Sequence, residues 1–240
     1  MANNLFKGKK VIIFDLDGTI IDSVGIWNDV DAELIKKIGG TPDENIFEFR
    51  SKILHEQNQG NIYLNYMEAL KEKYNSDLTK EEMYEMRYEI AYNYLVNKLM
   101  LKPNVDKVIL MLKQLGYSLA IATTTPRKNI DIYSNENKNI NSKIDFKAIF
   151  EIILTKDDVV NKKPHPEVLL KCAEYFNVEP SECLVIEDEI IGVQAAKNAN
   201  MDVIAIYDKY SDKDVKEIKK IANLYIKDYN ELIGTIEGIN

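Results

Sequence analysis

Cysteine and histidine are scarce in this chain of 240 residues, which contains two of each. Neither His55 nor His165 has a second histidine or a cysteine at metal-ligand spacing, so we expect each to have a surface or core role rather than a zinc-type one. Cys172 and Cys183 lie in apolar helix-like and strand-like surroundings, which favours free buried thiols over a disulfide or a metal site. These shortages argue against a disulfide-stabilised scaffold and against thiolate or imidazole metal chemistry.

Basic residues are fewer than acidic ones. The chain has 31 lysine and arginine residues and 39 aspartate and glutamate residues, which gives a net charge of −8. Nucleic-acid binding depends on clustered lysine and arginine, so we expect no nucleic-acid partner. The N-terminal residues lack an apolar signal core, and no apolar run is long enough to cross a bilayer. We therefore expect a cytoplasmic protein without a membrane partner. With 45% hydrophobic residues, the chain can form one sizeable core and a smaller second domain.

Two carboxylates follow the first apolar run, which starts at residue 11 and leads into Asp15, Leu16 and Asp17. The run predicts a buried strand that delivers Asp15 and Asp17 at its end. Gly18 lets the chain turn sharply there, so the two carboxylates can meet one centre at different angles. An isolated Asp-Gly pair is typical of a solvated turn, but motifs further along the chain favour the chemical interpretation.

Four short motifs, in a fixed order that extends over nearly the whole chain, resemble those of the haloacid dehalogenase superfamily of phosphohydrolases. The motifs are Asp15-Leu16-Asp17-Gly18-Thr19, then Thr123 at the end of an apolar run, then Lys163 directly before Pro164, then residues 183–188, which end in Glu187-Asp188. A single Asp-x-Asp-Gly sequence is weak evidence, whereas the ordered set is specific. The chain is most similar to the helical-cap subgroup, which includes β-phosphoglucomutase-like and phosphoglycolate phosphatase-like proteins.

The residue patterns predict two domains. Residues 22–98 have apolar side chains at helical spacing, and within them Thr79 and Glu82 have the spacing of a capping box. Beyond residue 103, short apolar strands alternate with helical patterns, which indicates βαβ units and a parallel sheet. We therefore predict an α/β fold, with a doubly wound parallel-sheet core in residues 1–21 and 99–240 and an inserted α-helical cap domain in residues 22–98.

Individual elements can be placed within this frame. A helix is expected at 105–115, and strands are expected at 118–122, 152–154, 184–187, 203–207 and 224–226. Residues 129–147 are rich in asparagine and lysine, and we expect them to form a surface excursion.

The resemblance implies roles for residues that would meet at the carboxyl ends of the strands. Asp15 is expected to attack phosphorus and form an aspartyl-phosphate, and Asp17 is expected to act as general acid and then as general base. Thr123 would donate a hydrogen bond to a phosphoryl oxygen, and Lys163 would neutralise the charge of the transition state. The expected substrate-binding set is completed by Leu16, Thr124 and, from the helical domain, Arg50.

A divalent cation is expected to offset the repulsion between a carboxylate nucleophile and a phosphate dianion. Mg²⁺ prefers oxygen ligands, so Asp15, Asp188 and the backbone carbonyl of Asp17 are the expected ligands. Glu187 either adds a further ligand or holds a metal-bound water. The family usually carries a small residue where this chain has Glu189, which either joins the site or faces solvent.

These residues together predict a Mg²⁺-dependent phosphatase for a small phosphorylated metabolite. Dehalogenases of this superfamily lack the second aspartate, so the presence of Asp17 favours phosphate chemistry. Two alternatives stay open: a sugar phosphate mutase similar to β-phosphoglucomutase, and a non-catalytic module that binds a phosphorylated metabolite. We expect specificity to depend on the helical domain around residues 50–60. No heptad pattern indicates an oligomeric state.

Overall fold

The computed structural model describes residues 2–56 and 61–238. Within it the chain divides into two compact units, one formed by Met1–Asp22 and Leu99–Asn240 and the other by Ser23–Lys98. The second unit is therefore an insertion in the sequence of the first.

Six strands form one parallel sheet in the first unit. They are β1 (Val11–Phe14), β2 (Ser118–Ala122), β3 (Ile152–Leu154), β4 (Cys183–Glu187), β5 (Asp202–Ile206) and β6 (Leu224–Ile226). Their order across the sheet is β3-β2-β1-β4-β5-β6, and all neighbours are parallel. This is the order of a doubly wound α/β fold, in which the winding reverses between β1 and β4. The predicted fold class is confirmed.

Twelve α-helices occur in the described residues. The inserted unit contains α1 (Val24–Lys37), α2 (Ile46–Glu56), α3 (Ile62–Tyr74) and α4 (Lys80–Asn97). The first unit contains α5 (Val105–Gln114), α6 (Arg127–Asn135), α7 (Lys138–Asn141), α8 (Phe146–Ile149), α9 (Glu167–Phe176), α10 (Ile190–Asn198), α11 (Val215–Ile221) and α12 (Tyr229–Glu237). Short 3-10 helices occur at Ala2–Phe6, Lys156–Asp158, Pro180–Glu182 and Lys209–Asp214. Within the described part of the chain, no helix has the length and apolar character needed to cross a membrane.

Helices cover both faces of the sheet. Val11 and Ile13 of β1 belong to an apolar cluster with residues of β2, β4 and β5 and of α9, α10 and α11. Phe14 points to the opposite face, where its ring packs edge-on against that of Phe150 at a centroid distance of 6.1 Å. Burial on both faces explains why these strands read as continuous apolar runs. Both cysteines are buried and free, as expected.

The predicted elements lie close to the observed ones. The strand expected at 203–207 begins one residue earlier, and the helix expected at 105–115 ends at Gln114. The capping box of α4 is present, because Thr79 Oγ1 accepts a hydrogen bond from the Glu82 amide at 3.2 Å and the Glu82 side chain accepts one from the Thr79 amide at 2.8 Å. Strand β1 ends at Phe14, so Asp15 and Asp17 both lie beyond it.

The prediction of a surface excursion at residues 129–147 is wrong. This segment contains most of α6 and all of α7, and Tyr133, Ile140 and Phe146 within it are fully buried. Asn137 in this segment has a structural role, because it caps α7 by accepting a hydrogen bond from the Ile140 amide at 2.9 Å. The polar composition therefore reflects helix capping around buried apolar side chains.

A buried ion cluster joins three helices of the inserted unit. Asp31 on α1 is fully buried, and its two oxygens accept hydrogen bonds from Arg87 Nε on α4 at 2.7 Å and from Arg50 on α2 at 2.5 Å. Arg50 also donates to Asn28 at 2.8 Å, and the Arg87 guanidinium lies 5.2 Å from the centre of the Trp27 ring. One carboxylate thus neutralises part of the charge of two buried guanidinium groups.

Replacing Asp31 by asparagine should lower the free energy of unfolding by about 3–5 kcal/mol, because two buried guanidinium groups lose their counter-charge. Urea denaturation of the full chain measures the change. The matched control is Asp29→Asn, an exposed position on the same helix, which should change stability by no more than about 0.5 kcal/mol. Equal stability of the two variants would show that the ion cluster does not stabilise the unit.

Candidate active site

The carboxyl ends of β1, β2 and β4 carry three of the four sequence motifs, and Lys163 of the remaining motif lies in the segment between β3 and α9. In the sheet, Phe14 at the end of β1 is paired with Ile121 of β2 and with Ile186 of β4. Asp15 and Glu187, each one residue further along its strand, therefore meet at the point where the winding of the sheet reverses. Ligands of open α/β sheets bind at this point.

A buried lysine connects two of the carboxylates. Lys163 Nζ donates hydrogen bonds to Asp15 Oδ1 at 2.7 Å and to Glu187 Oε1 at 2.8 Å, and its side chain is 3% exposed. Burial by itself would lower the pKa of Lys163, but the charges of Asp15 and Glu187 raise it above its usual value. The ammonium group therefore stays charged inside the protein.

Glu187 is held by donors at both oxygens. Oε1 accepts from Lys163, while Oε2 accepts from the amides of Asp188 at 2.6 Å and Glu189 at 2.8 Å. The backbone of α10 passes so close that a Cβ on Gly192 would lie 1.6 Å from Glu187 Oε1. Only glycine leaves room for this carboxylate.

Asp188 is tied to the turn that follows β1. Its Oδ1 accepts a hydrogen bond from Thr19 Oγ1 at 2.8 Å, and the Thr19 carbonyl accepts one from the Tyr229 hydroxyl at 3.1 Å. Gly18 has a φ of +85°, and a Cβ there would lie 2.2 Å from Asp188 Oδ2. The glycine of the first motif therefore allows both the turn and the close approach of Asp188.

The acidic side chains at this point fit a divalent cation. Asp15, Glu187 and Asp188 are buried, with one oxygen of each within 4.8 Å of the others. Burial raises the pKa of Asp15 and of Asp188 well above the usual range, and the charge of Glu187 raises both further, while Lys163 opposes the shift at Asp15. Among the described residues, Thr19 alone donates a hydrogen bond to the Asp188 carboxylate. Oxygen donors with this excess of negative charge suit Mg²⁺.

The loop after β2 carries two threonine hydroxyls into the site. Thr123 is buried, and its Oγ1 accepts a hydrogen bond from the Thr125 amide at 3.0 Å. The hydroxyl hydrogen of Thr123 is thus available for another acceptor. Thr125 Oγ1 in turn donates a hydrogen bond to Asp17 Oδ2.

Leu16 and Thr124 offer backbone donors. The Leu16 side chain is fully buried, and its carbonyl accepts from the amides of Ile20 at 2.8 Å and Ile21 at 2.9 Å. Thr124 is exposed. Within residues 2–56 and 61–238, the amide groups of Leu16 and Thr124 donate to no protein acceptor. A bound anion would satisfy them.

Other predicted residues have different surroundings. Arg50 belongs to the ion cluster of the inserted unit, so its burial is explained without a ligand, and its role in substrate binding stays a prediction. The Glu189 side chain is exposed, and its amide holds Glu187. His165 Nδ1 accepts from the Glu167 amide at 3.2 Å in a local turn. Of the expected specificity segment, residues 57–60 and the side chains of His55 and Glu56 lie outside the described residues.

Three residues that support the site, Thr19, Gly192 and Thr125, have contacts that the sequence alone does not predict. Thr19 lies within the first motif and Gly192 lies just after the fourth, and these positions are what the sequence offers to indicate that they support the site. Thr125 follows the second motif by two residues, and nothing in the sequence indicates its contact with Asp17, which is 108 positions away.

Comparisons with known proteins agree with this arrangement. The sequence profile of the haloacid dehalogenase-like hydrolases matches residues 12–206. The chain is similar to a phosphoglycolate phosphatase of Psychrobacter arcticus, with 28% identity over 217 residues that cover 88% of this chain and 89% of that protein. It is also similar to a phosphorylated carbohydrates phosphatase of Thermotoga maritima, with 26% identity over 195 residues that cover 81% of this chain and 83% of the relative.

Solved structures share the fold. A Thermotoga maritima structure provisionally described as a β-phosphoglucomutase superposes with a TM-score of 0.78 and 21% identity, covering 96% of this chain and 100% of that one. At this identity the likeness concerns the fold alone.

Because Gly192 lies so close to Glu187, we predict that alanine at Gly192 and alanine at Gly234 change the stability of the protein in opposite directions. Gly192→Ala should lower the free energy of unfolding by about 1–3 kcal/mol, because the new methyl group displaces the carboxylate that pairs with Lys163. Gly234→Ala, in α12 with open space around it, should raise stability by about 0.5–1 kcal/mol because alanine favours helix. Urea denaturation measures both, and a Gly192→Ala chain as stable as the Gly234→Ala chain would contradict the packing described here.

Proposed function

The chain belongs to the haloacid dehalogenase-like hydrolases, and we propose that within this family it is a Mg²⁺-dependent phosphatase of small phosphorylated metabolites. The observation that carries the proposal is the buried Lys163 bound to Asp15, with a second aspartate, Asp17, two residues further along. A carboxylate paired with a buried ammonium group suits attack on a phosphate dianion. The second aspartate supplies the proton transfers that ester hydrolysis needs.

Positive and hydrogen-bonding groups around Asp15 would bind the phosphoryl group. Lys163 brings a full charge, and Thr123 has a hydroxyl hydrogen to donate. The free amides of Leu16 and Thr124 add two neutral donors. Donors of this kind stabilise the charge on the equatorial oxygens of a transferring phosphoryl group.

The reaction has two steps. A carboxylate oxygen of Asp15 forms a bond to phosphorus while the bond from phosphorus to the ester oxygen breaks, and the leaving oxygen takes the proton of Asp17. Water then attacks the phosphorus of the aspartyl-phosphate and gives a proton to Asp17. Inorganic phosphate leaves and the Asp15 carboxylate is restored, so both aspartates return to their starting states.

Mg²⁺ would be held by Asp15, Asp188 and the backbone carbonyl of Asp17. When bound, the cation supplies positive charge that reduces the repulsion between the nucleophile and the phosphate dianion. Both oxygens of Glu187 already accept hydrogen bonds, so we assign Glu187 to the orientation of Lys163. Thr19 fixes the orientation of Asp188 in the same way.

The substrate class is inferred from the relatives. Phosphatases for phosphoglycolate and for phosphorylated carbohydrates are among the proteins that this chain resembles, which favours a small organic phosphate. We propose that the inserted helical unit acts as a cap domain and determines which phosphate is accepted, as the resemblance implies. The cytoplasmic location stays a prediction from the sequence.

Mg²⁺ should stabilise the folded chain, since the buried carboxylates that would hold it are already grouped together before any substrate binds. At a concentration one hundred times the dissociation constant, the free energy of unfolding should rise by about 2.7 kcal/mol. Thermal unfolding with and without Mg²⁺ measures this, and Asp188→Asn should abolish most of the shift. The Asp77→Asn chain, altered at an exposed carboxylate, should keep it. An equal shift in all three proteins would contradict the assigned site.

The function is tested by phosphate release from a panel of sugar phosphates, nucleotides and small phosphate esters with Mg²⁺. Asp15→Asn should lower kcat/KM by at least about a thousandfold, since the nucleophile is lost. Asp77→Asn controls for a contaminating phosphatase and should retain full activity. Conversion of a hexose 1-phosphate to the 6-phosphate without release would favour a mutase instead. Release that persists in Asp15→Asn would contradict the mechanism.

A further inference from the structure

Thr125 lies outside the four motifs, yet its hydroxyl donates a hydrogen bond to Asp17 Oδ2. Asp17 belongs to the turn after β1, and Thr125 belongs to the loop after β2. The two strands are neighbours, with Phe14 beside Ile121, so the sheet brings these two chain segments together. Thr125 therefore connects the loop of the second motif to the second aspartate of the first.

The position of Thr125 is fixed by its surroundings. Its amide donates to Thr123 Oγ1 at 3.0 Å, and its carbonyl accepts from the Lys156 amide at 3.4 Å. Pro126 follows with a φ of −70° that its ring fixes. A β-branched side chain on a backbone held in this way has few rotamers, so the hydroxyl direction is set before substrate binds.

The hydroxyl of Thr125 is not needed to begin α6. A threonine just before a helix commonly caps it. Here the residue at the cap position is Pro126, which makes no side-chain hydrogen bond, and the Arg127 amide is bound by Asp157 Oδ2 at 2.8 Å. Helix capping therefore does not explain why this hydroxyl is directed at Asp17.

We propose that Thr125 positions the carboxyl group of Asp17 for protonation of the leaving group. This inference rests on the proposed function, in which Asp17 gives its proton to the ester oxygen as the bond to phosphorus breaks. A 4-nitrophenolate ion leaves without a proton, whereas an alkoxide needs one. A misplaced Asp17 therefore slows the cleavage of alkyl phosphates more than that of 4-nitrophenyl phosphate.

The test compares kcat/KM, which covers the first phosphoryl transfer, for substrates of both kinds. The poor leaving groups are supplied by ribose 5-phosphate, glucose 6-phosphate, phosphoglycolate and phenyl phosphate, and the good one by 4-nitrophenyl phosphate. Thr125→Val keeps the shape of the side chain, and we expect it to lose about tenfold or more on the first group and less than about threefold on 4-nitrophenyl phosphate.

Two further variants make the result specific. Thr125→Ser keeps the hydroxyl and should recover most of the activity on poor leaving groups. Thr235→Val makes the same exchange in α12 and should leave both activities unchanged. Thermal unfolding of each variant shows whether it is folded, and the selectivity between substrates is a readout that simple loss of folded protein does not change.

The possible outcomes separate the two proposals. If Thr125→Val loses activity equally on both kinds of substrate, or loses none on either, the positioning role is overturned. The proposed function still stands in that case, provided that the wild-type chain turns over these substrates and Asp15→Asn does not. If the wild-type chain releases phosphate from none of these compounds, the proposed function itself fails.

Discussion

The hydrogen-bonded contact of Lys163 with Asp15 and Glu187 is the interaction on which the rest of the site depends. A buried ammonium group must be paired, and here it is paired by carboxylates from two adjacent strands, β1 and β4. When all three buried carboxyl groups are ionised, they and the one ammonium group leave two negative charges, which a divalent cation would neutralise. Because water is largely excluded, these charges act on one another more strongly than they would at the surface. Burial makes this group of charges unfavourable when no cation is bound. The same burial strengthens the interaction of the positive groups of the site with a phosphate dianion.

Much of the fold could be predicted from the sequence because the strands of a doubly wound sheet are buried on both faces. Such strands appear as short apolar runs, and the polar residue that follows each run marks the carboxyl end of the sheet. Asp15, Thr123 and Glu187 could be found for this reason. Their distances could not, because these depend on strand order, and the sequence does not show that β1 lies between β2 and β4.

The residues that sequence reasoning missed are those whose partners are distant in the chain. Tyr229 contacts Thr19 across 210 positions, and neither residue has a pattern that indicates the other. For Arg50 the difficulty is different, because the sequence does not distinguish an arginine that binds a ligand from one that completes an ion pair. Its contact with the fully buried Asp31 accounts for it within its own unit. The asparagine-rich composition of residues 129–147 predicts a surface segment wrongly, because a helix cap and a solvated loop have the same composition.

Three carboxylates of the site share one arrangement, in which a donor of the protein binds a carboxylate oxygen and thereby sets the direction of the group. Asp15 is bound by Lys163, Asp188 by Thr19, and Asp17 by Thr125. A carboxylate in water rotates and is hydrated on both oxygens, so orienting it during a reaction would raise the barrier. Here folding has already oriented it, and the transition state meets groups that need little rearrangement. The glycines at positions 18 and 192 follow from this requirement, because the backbone must pass within contact distance of Asp188 and Glu187 to hold them in place.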